Sequence, residues 1–251
     1  MALYKSMLVA KTDLKMALKV NYVKFGLIGI AALGPIMMIA IVGFLVLADP
    51  VYAVAFLPSL DAMMSPMLGM MAIMPAALIS ANALVGEREQ NTLEPLLNTP
   101  LTDRELLIGK LLSSFLPSFG LLLGSIAVTE VATIILMISV GSQIILVPGL
   151  PSLFLLLTAG PAMIIAIVSV MILISGKVKR VYEAYQTSGV TILIFFIPMM
   201  LPIFTMDASG VLDMNTVWFT DILTLLLALV LAAITWALAV RRFNRDTMIS
   251  M

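Results

Sequence analysis

Cysteine and histidine are both absent from the 251-residue sequence. Their absence excludes disulfide bonds, thiolate nucleophiles, imidazole general bases and zinc sites built from Cys and His ligands. It also leaves the redox compartment unreadable from cysteine usage. A membrane-embedded enzyme needs such groups, or clustered acids, at membrane depth, so the sequence argues against that class of protein.

Charged residues are scarce, at 11% of the chain, whereas 62% of the residues are hydrophobic and the mean hydropathy is +1.15. A soluble domain is about half apolar and about a quarter charged. The apolar residues form long uninterrupted runs, which is typical of a polytopic membrane protein. We therefore predict an all-α polytopic membrane protein with a single domain, residues 1–251.

Six apolar segments approach the length of roughly 20 residues that a spanning helix needs. They are residues 25–47, 62–85, 106–140, 152–175, 187–204 and 217–240. The third segment is too long for one perpendicular span, so it should tilt or project beyond the bilayer. The fifth is short and contains Pro198 and Pro202, and the sequence leaves open whether it is broken or followed by a re-entrant piece.

The basic residues predict the orientation, because Lys and Arg in short loops are retained in the cytoplasm. All 14 lie before the first segment, in or just past the second connection, in the fourth connection, or after the sixth segment: Lys5, Lys11, Lys15, Lys19, Lys24, Arg88, Arg104, Lys110, Lys177, Lys179, Arg180, Arg241, Arg242 and Arg245. The other connections, residues 48–61, 141–151 and 205–216, contain none. This pattern predicts six transmembrane helices with both termini in the cytoplasm.

Residues 1–24 have a helical rhythm with an apolar stripe and a basic stripe. The stripes are Leu3, Met7, Ala10, Leu14 and Ala17, and Lys11, Lys15 and Lys19. Such a pattern predicts an interfacial helix with its apolar side in lipid and its lysines near anionic headgroups. It leaves open whether the helix is only a topogenic anchor or also contacts a partner subunit.

The connection between the second and third segments predicts a short amphipathic helix. Asn91 or Thr92 can cap it, Pro95 then falls in its first turn, and Pro100 ends it. Three leucines give it one apolar face: Leu93, Leu96 and Leu97. A capping box then opens the third segment: Thr102 with Glu105. The leucine face suits either a groove on a cytoplasmic partner or packing against the other spans.

The same connection carries a longer motif, made of Glu87-Arg88-Glu89, Thr92-Leu93-Glu94, Leu96-Leu97, Thr99-Pro100, Glu105 and Gly109-Lys110. It resembles the signature of the ABC-2 family of permeases. Asn91 stands where that family usually has glycine, a mild departure because asparagine tolerates unusual backbone angles. The six-span topology and the N-terminal helix are similar to the family over nearly all of the chain.

The resemblance implies that residues 86–105 are the coupling segment, seated in a cleft of a nucleotide-binding subunit. Its ATPase-coupling residues would be Glu87, Arg88, Glu89, Thr92, Leu93, Glu94, Leu96, Leu97 and Pro100. The resemblance also implies a second permease chain, either a copy or a paralogue, two ATPase chains, and usually export across a prokaryotic plasma membrane. ATP and Mg²⁺ would bind the ATPase, so this chain would have no cofactor, no catalytic residue, no metal site and no nucleic-acid partner.

The chain itself has no recognisable ATP site. A P-loop needs Gly-x-x-x-x-Gly-Lys-Ser/Thr, so that backbone amides can surround the phosphates. The Gly-Lys pairs at 109–110 and 176–177 are followed by Leu111 and Val178, and both lack the first glycine. ATP hydrolysis is therefore expected on a separate subunit, and this chain is not expected to be an enzyme.

Glu130 is the acidic residue that lies well inside an apolar run, where a carboxylate often marks a transport pathway or a proton site. It follows Lys110 by 20 residues, about 30 Å along a helix, which favours a position near the outer interface. Two alternatives to the permease remain: a proton-coupled secondary transporter that uses Glu130, and a non-transporting membrane anchor for an ATPase. The cargo is not readable, although the scarcity of charge favours lipidic, peptide or other amphiphilic molecules.

Overall fold

The computed structural model describes residues 2–89, 102–175, 178, 180–204 and 212–242. In this part of the chain the backbone forms seven α-helices longer than one turn and no strand. They are α1 (Ala2–Ala17), α2 (Asn21–Ala48), α3 (Pro50–Ala81), α4 (Asp103–Val140), α5 (Leu150–Ser175), α6 (Val181–Phe204) and α7 (Met214–Arg242). A π-helical turn, Asn82–Gly86, and a single α-helical turn, Glu87–Glu89, continue α3. The all-α fold class is confirmed.

Five of these helices, α2, α4, α5, α6 and α7, are long and apolar enough to cross a membrane. The segments Pro50–Leu60 and Ser65–Ala81 of α3 meet the same criterion together and are inclined to each other by 50°. Counted as one bent span, they bring the number of spans to six. The chain is therefore a multi-pass membrane protein whose second span differs from the straight helix that hydropathy suggests.

The connection between α2 and α3 is much shorter than predicted. Residues 48–61 were expected to form an outer loop, but α3 already begins at Pro50. Asp49 caps this helix, because its Oδ1 accepts hydrogen bonds from the amides of Val51 at 3.0 Å and Tyr52 at 3.1 Å. Proline in the first turn of a helix costs little, since its missing N–H has no partner there anyway. The loop prediction was wrong because hydropathy registers apolar content and not helix caps.

Helix α6 is continuous, with Pro198 and Pro202 both inside it and both buried. The predicted start at residue 187 was six residues late, because the polar residues that follow Val181 lower the hydropathy without ending the helix. Of the two alternatives for this span, the broken helix does not occur in Val181–Phe204. Residues 205–211, where a re-entrant piece was considered, lie outside the described part of the chain.

Helix α5 is the centre of the bundle and packs along α7 and α3. In its most apolar stretch 61% of the residues are buried, against 28–33% in the other four straight spans. Small residues allow such close packing in membranes, where helix association relies on contact rather than on exclusion of water. At Gly160 a Cβ atom would lie only 2.9 Å from Cδ2 of Leu122 on α4.

Helix α4 has 38 residues, which corresponds to a length of about 57 Å. This exceeds the roughly 30 Å of a bilayer core and confirms that the element is too long for one perpendicular span. The predicted capping box is present, because Thr102 Oγ1 accepts from the amide of Glu105 and Glu105 Oε2 accepts from the amide of Thr102. The helix ends at Gly141, which has a φ of 72°.

Candidate functional site

A buried group of ionisable side chains joins three elements at the end of the bundle where α1 lies. Nζ of Lys110, on α4, lies 2.6 Å from Oε2 of Glu87, beyond the end of α3, and 3.5 Å from Oδ2 of Asp13 on α1. Lys110 also donates to the main-chain carbonyl of Ala83 in the π-helical turn. Lys110 and Asp13 are each 2% exposed and Glu87 is 6% exposed, so water screens these charges poorly. We call Asp13, Glu87 and Lys110 the Lys110 cluster.

Helix α1 lies directly against the first turns of α4. A Cβ atom at Gly109 would lie 2.8 Å from Cβ of Val9 and 3.0 Å from the carbonyl oxygen of Ser6. The hydroxyl of Ser6 also donates to the carbonyl of Glu105 at 3.0 Å. The Gly-Lys pair therefore has two structural roles: the glycine permits the close approach of α1, and the lysine pairs with Asp13.

The buried face of α1 differs from the predicted apolar stripe. The buried side chains are Ser6, Val9, Ala10, Asp13 and Ala17, whereas Met7 is exposed. Ala10 and Ala17 were expected to face lipid, but they are buried inside the protein. The helix is confirmed over Ala2–Ala17, shorter than residues 1–24, because α2 already begins at Asn21. Its position in a membrane interface stays a prediction.

The Lys110 cluster contains two carboxyl groups for one ammonium group. Burial raises the pKa of Glu87 to about 7; the nearby Asp13 adds to that rise, and Lys110 opposes it. Burial also raises the pKa of Asp13, against the lowering influence of Lys110. Both carboxyl groups consequently hold a proton more readily than exposed ones do.

A cavity of about 300 Å³ adjoins the cluster and is lined by Asp13, Glu87, Lys19 and Asn82 among its polar residues. A water molecule takes up about 30 Å³ in the liquid, so this space holds several. The cavity gives water a route to carboxyl groups that are otherwise enclosed by α1, α4 and the π-helical turn.

Two further contacts hold the segment around the π-helical turn in place. Oε2 of Glu89 accepts a hydrogen bond from the amide of Val181, the first residue of α6, at 3.3 Å. A carboxylate is stabilising at a helix N-terminus, where the amides are unpaired. The hydroxyl of Tyr22, on α2, donates to Oδ1 of Asn82 at 2.8 Å. The chain that leads into residues 90–101 is therefore anchored to α2, α4 and α6.

A larger cavity, of about 790 Å³, lies between α2, the end of α3 and the start of α6. Ile30 and Leu78 contribute apolar surface, while Tyr185, Arg180 and Glu89 contribute polar groups. A space of this size is within the range of small-molecule sites. Its mixed lining suits an amphiphilic molecule better than a bare ion.

The structure describes the start of the predicted coupling segment but not its middle. Glu87 and Glu89 make the contacts given above, and the backbone of Arg88 is helical, but the Arg88 side chain lies outside the described residues. The same holds for the whole of Thr92, Leu93, Glu94, Leu96, Leu97 and Pro100. The amphipathic helix expected there stays a prediction.

Glu130 is not part of the Lys110 cluster. It is partly buried on α4 and lies 20 residues beyond Lys110, about 30 Å along the helix. Its suggested place on a transport pathway stays a prediction. Among the described residues, no group of three or more acidic side chains is placed to hold a metal ion.

The sequence patterns missed Asp13, Ser6 and Asn82. Asp13 was hidden among the lysines of an apparently amphipathic helix, where one acidic residue reads as solvated. The sequence did contain one signal for Asp13, since it is an isolated acidic residue in a helix that is otherwise rich in lysine. Asn82 similarly interrupts an apolar run without any local reason, and the structure supplies one in its bond to Tyr22.

Replacing Gly109 with alanine is expected to destabilise the α1–α4 contact by about 1–3 kcal/mol, because the new methyl group overlaps Val9 and the main chain of Ser6. The thermal unfolding midpoint of the purified chain in detergent measures this loss. Gly120→Ala on the same helix is the matched control, because nothing lies within 4 Å of a Cβ at that position. Equal midpoints for the two variants would show that α1 is not seated as described.

The fold and the Lys110 cluster define a class of protein: a multi-pass helical membrane protein with buried ionic contacts at one end of its bundle. The chain belongs to the ABC-2 family of transporter proteins, since the model described as ABC-2 family transporter protein matches residues 1–215. This match spans α1 to α6 and confirms the resemblance drawn from the signature motif. Membership of the family implies a partner ATPase and a lipid bilayer. No curated protein matches the chain.

Proposed function

We propose that this chain is the membrane-spanning permease subunit of an ATP-binding cassette exporter in a prokaryotic plasma membrane. Two permease chains, either two copies or a copy and a paralogue, work with two ATPase subunits that bind ATP and Mg²⁺. This chain then needs no cofactor and hydrolyses no ATP. The family match over residues 1–215 is the observation that carries the proposal.

The proposal places α1, the Lys110 cluster and residues 86–105 on the cytoplasmic side. The distribution of the 14 basic residues supports this orientation, because the three opposite connections contain none. The ATPase subunit then meets the membrane subunit at residues 86–105, through the leucine face of the predicted short helix.

The Lys110 cluster gives this coupling segment a rigid connection to the spans. Glu87 stands at its start and Lys110 just beyond its end, and the two side chains meet at 2.6 Å in a buried site. A force applied to the residues between Glu87 and Lys110 therefore moves the ends of α3 and α4 together. Rocking of α3 and α4 in two facing chains opens and closes an enclosed path, which a polar or amphiphilic cargo needs to cross the hydrocarbon core.

The cavity of about 790 Å³ supports amphiphilic cargo. In the proposed orientation it lies at the cytoplasmic ends of α2, α3 and α6, where a molecule with an apolar part and a polar part can leave the inner leaflet. Its apolar wall, with Ile30 and Leu78, faces the tail of such a molecule, and Arg180 and Tyr185 face its head.

Leu93→Asp is expected to weaken binding of the ATPase subunit roughly 30-fold or more, since burial of one leucine contributes about 2 kcal/mol. The tagged chain, purified from native membranes in mild detergent, should bring down an ATP-hydrolysing subunit, and the variant should lose it. Glu94→Ala is expected to retain more of the subunit and to reduce its cargo-stimulated ATP hydrolysis.

Leu146→Asp is the matched control for Leu93→Asp, because Leu146 is exposed in the connection between α4 and α5, at the opposite end of the bundle. It should bind the ATPase as the wild type does. If the wild-type chain purifies with no ATPase, the permease proposal fails and transport driven through Glu130 becomes the leading function. If the ATPase binds but no cargo stimulates it, the membrane-anchor alternative is favoured.

A further inference from the structure

The Lys110 cluster holds more negative than positive groups in a site that is almost fully buried. Asp13 on α1 and Glu87 beyond α3 face the single ammonium of Lys110 on α4. Of the other described residues around the adjoining cavity, the remaining charged one is Lys19, whose side chain is exposed, and Asn82 is neutral. Two ionised carboxylates beside this ammonium would place two like charges close together in a buried site, which is costly.

Geometry supplies a second argument. Oε2 of Glu87 and Oδ2 of Asp13 both approach the same nitrogen, Nζ of Lys110, at 2.6 Å and 3.5 Å, which brings the two carboxyl groups close to each other. Two ionised carboxylates have no donor to offer each other and repel at close range, whereas a proton on either group removes that repulsion. The cavity of about 300 Å³ gives water, and therefore protons, access to both groups.

We propose that Asp13 and Glu87 bind one exchangeable proton between them beside Lys110, and that this proton holds α1 against the start of α4. Asp13 is then a positioning residue: it fixes α1 to Lys110 and, through Lys110, the beginning of the coupling segment at Glu87. The link to ATPase coupling rests on the proposed function, whereas the proton site itself does not.

Loss of the proton acts on the weaker of the two ion pairs. When both carboxyl groups are ionised they repel each other across the ammonium, and Lys110 is closer to Glu87, at 2.6 Å, than to Asp13, at 3.5 Å. Asp13 is therefore the group that separates, and α1 moves away from α4 with it. The raised pKa of Glu87, about 7, places this change near neutral pH.

The position of α1 tests the proton site without reference to activity. The chain has no native cysteine, so spin labels at Lys15→Cys on α1 and Gln186→Cys on α6, both exposed positions, report one distance. We expect a single label-to-label distance at the acidic end of a range of about two pH units around neutrality. At the basic end a second distance should appear, because the fraction of clusters that carry the proton falls about tenfold over this range. Asp13→Asn, which cannot exchange the proton, should give one distribution at every pH.

A wild-type distance that does not change with pH, or an Asp13→Asn variant that changes as the wild type does, would overturn the proton site. Should Asp13→Asn fail to fold, Glu87→Gln removes the other carboxyl group and tests the same prediction. Lys15→Gln, an exposed change on the same helix, is the charge control in the unlabelled chain and should leave the pH dependence of coupling unaltered.

Coupling is measured in the complete complex reconstituted in phosphatidylethanolamine and phosphatidylglycerol vesicles, as ATP hydrolysis by the complex divided by hydrolysis by the isolated ATPase at the same pH. The ratio should fall by up to about tenfold over the same range, and Asp13→Asn should remove this fall, whereas Asp13→Glu should restore it. A merely structural role of Asp13 would lower the ratio equally at every pH. If the spin-label distance depends on pH but no ATPase subunit binds, the proton site stands and the permease proposal fails. If an ATPase subunit binds but the distance does not change with pH, the permease proposal stands and the proton site fails.

Discussion

Lys110→Met is expected to lower the free energy of unfolding by about 3–5 kcal/mol, because it removes one partner from a buried ion pair. Methionine keeps the unbranched apolar stem but removes the ammonium that pairs with Glu87 and Asp13 and that donates to the carbonyl of Ala83. A loss of this size is a large fraction of the stability of a typical protein. The yield of monodisperse protein after detergent extraction and its thermal unfolding midpoint measure the effect.

The triple variant Asp13→Asn, Glu87→Gln, Lys110→Met is the matched comparison. It removes all three charges while keeping similar shapes, so no buried charge is left without compensation, and most of the lost stability should return. Lys19→Met, at an exposed position beside the same cavity, should change stability by no more than about 0.5 kcal/mol. A triple variant as unstable as Lys110→Met alone would mean that packing, and not charge pairing, accounts for the loss.

Hydropathy was sufficient to locate the straight spans. Helices α4, α5 and α7 contain the predicted segments 106–140, 152–175 and 217–240 in full, because their apolar runs end at polar or glycine-containing connections. Hydropathy was insufficient at α3, which begins at Pro50 with Asp49 as its N-terminal cap. A cap is a contact between one side chain and two amides, and averaging over a window does not register it.

The candidate site was predictable only in part. The signature motif directed attention to Glu87 and Lys110, but not to the contact between them, since the motif is a pattern in one dimension. The partners on α1 are distant in sequence: Ser6 and Glu105 are 99 residues apart. No periodicity connects such positions. Local signs were present but ambiguous: Asp13 is an isolated acid among lysines, and Gly109 permits a close contact, whereas Gly120 and Gly124 on the same helix have no neighbour within 4 Å.

The second large effect concerns the dependence of stability on pH, to which the raised pKa values of Glu87 and Asp13 contribute with the same sign. The pKa of Glu87 is raised from 4.5 to about 7 by burial, so between these values the folded chain binds more protons than the unfolded chain. Stability therefore falls as the pH rises through this window and levels off above the folded pKa. The contribution of Glu87 is fully present below about 4.5 and is lost by about 8. A carboxyl group in an ordinary surface salt bridge gives the opposite slope.

Glu87→Gln is expected to flatten this slope, which for the wild type corresponds to a loss of about 1–3 kcal/mol between the acidic and basic ends of the window. Thermal unfolding midpoints of the isolated chain, measured in one detergent at a series of pH values, give the comparison. Glu89→Gln is the control: Glu89 is exposed and only two residues away, and this variant should keep the wild-type slope. If wild type and Glu87→Gln had parallel profiles, the excess proton would reside on another group, such as Asp13, and Glu87 would not be the residue that titrates.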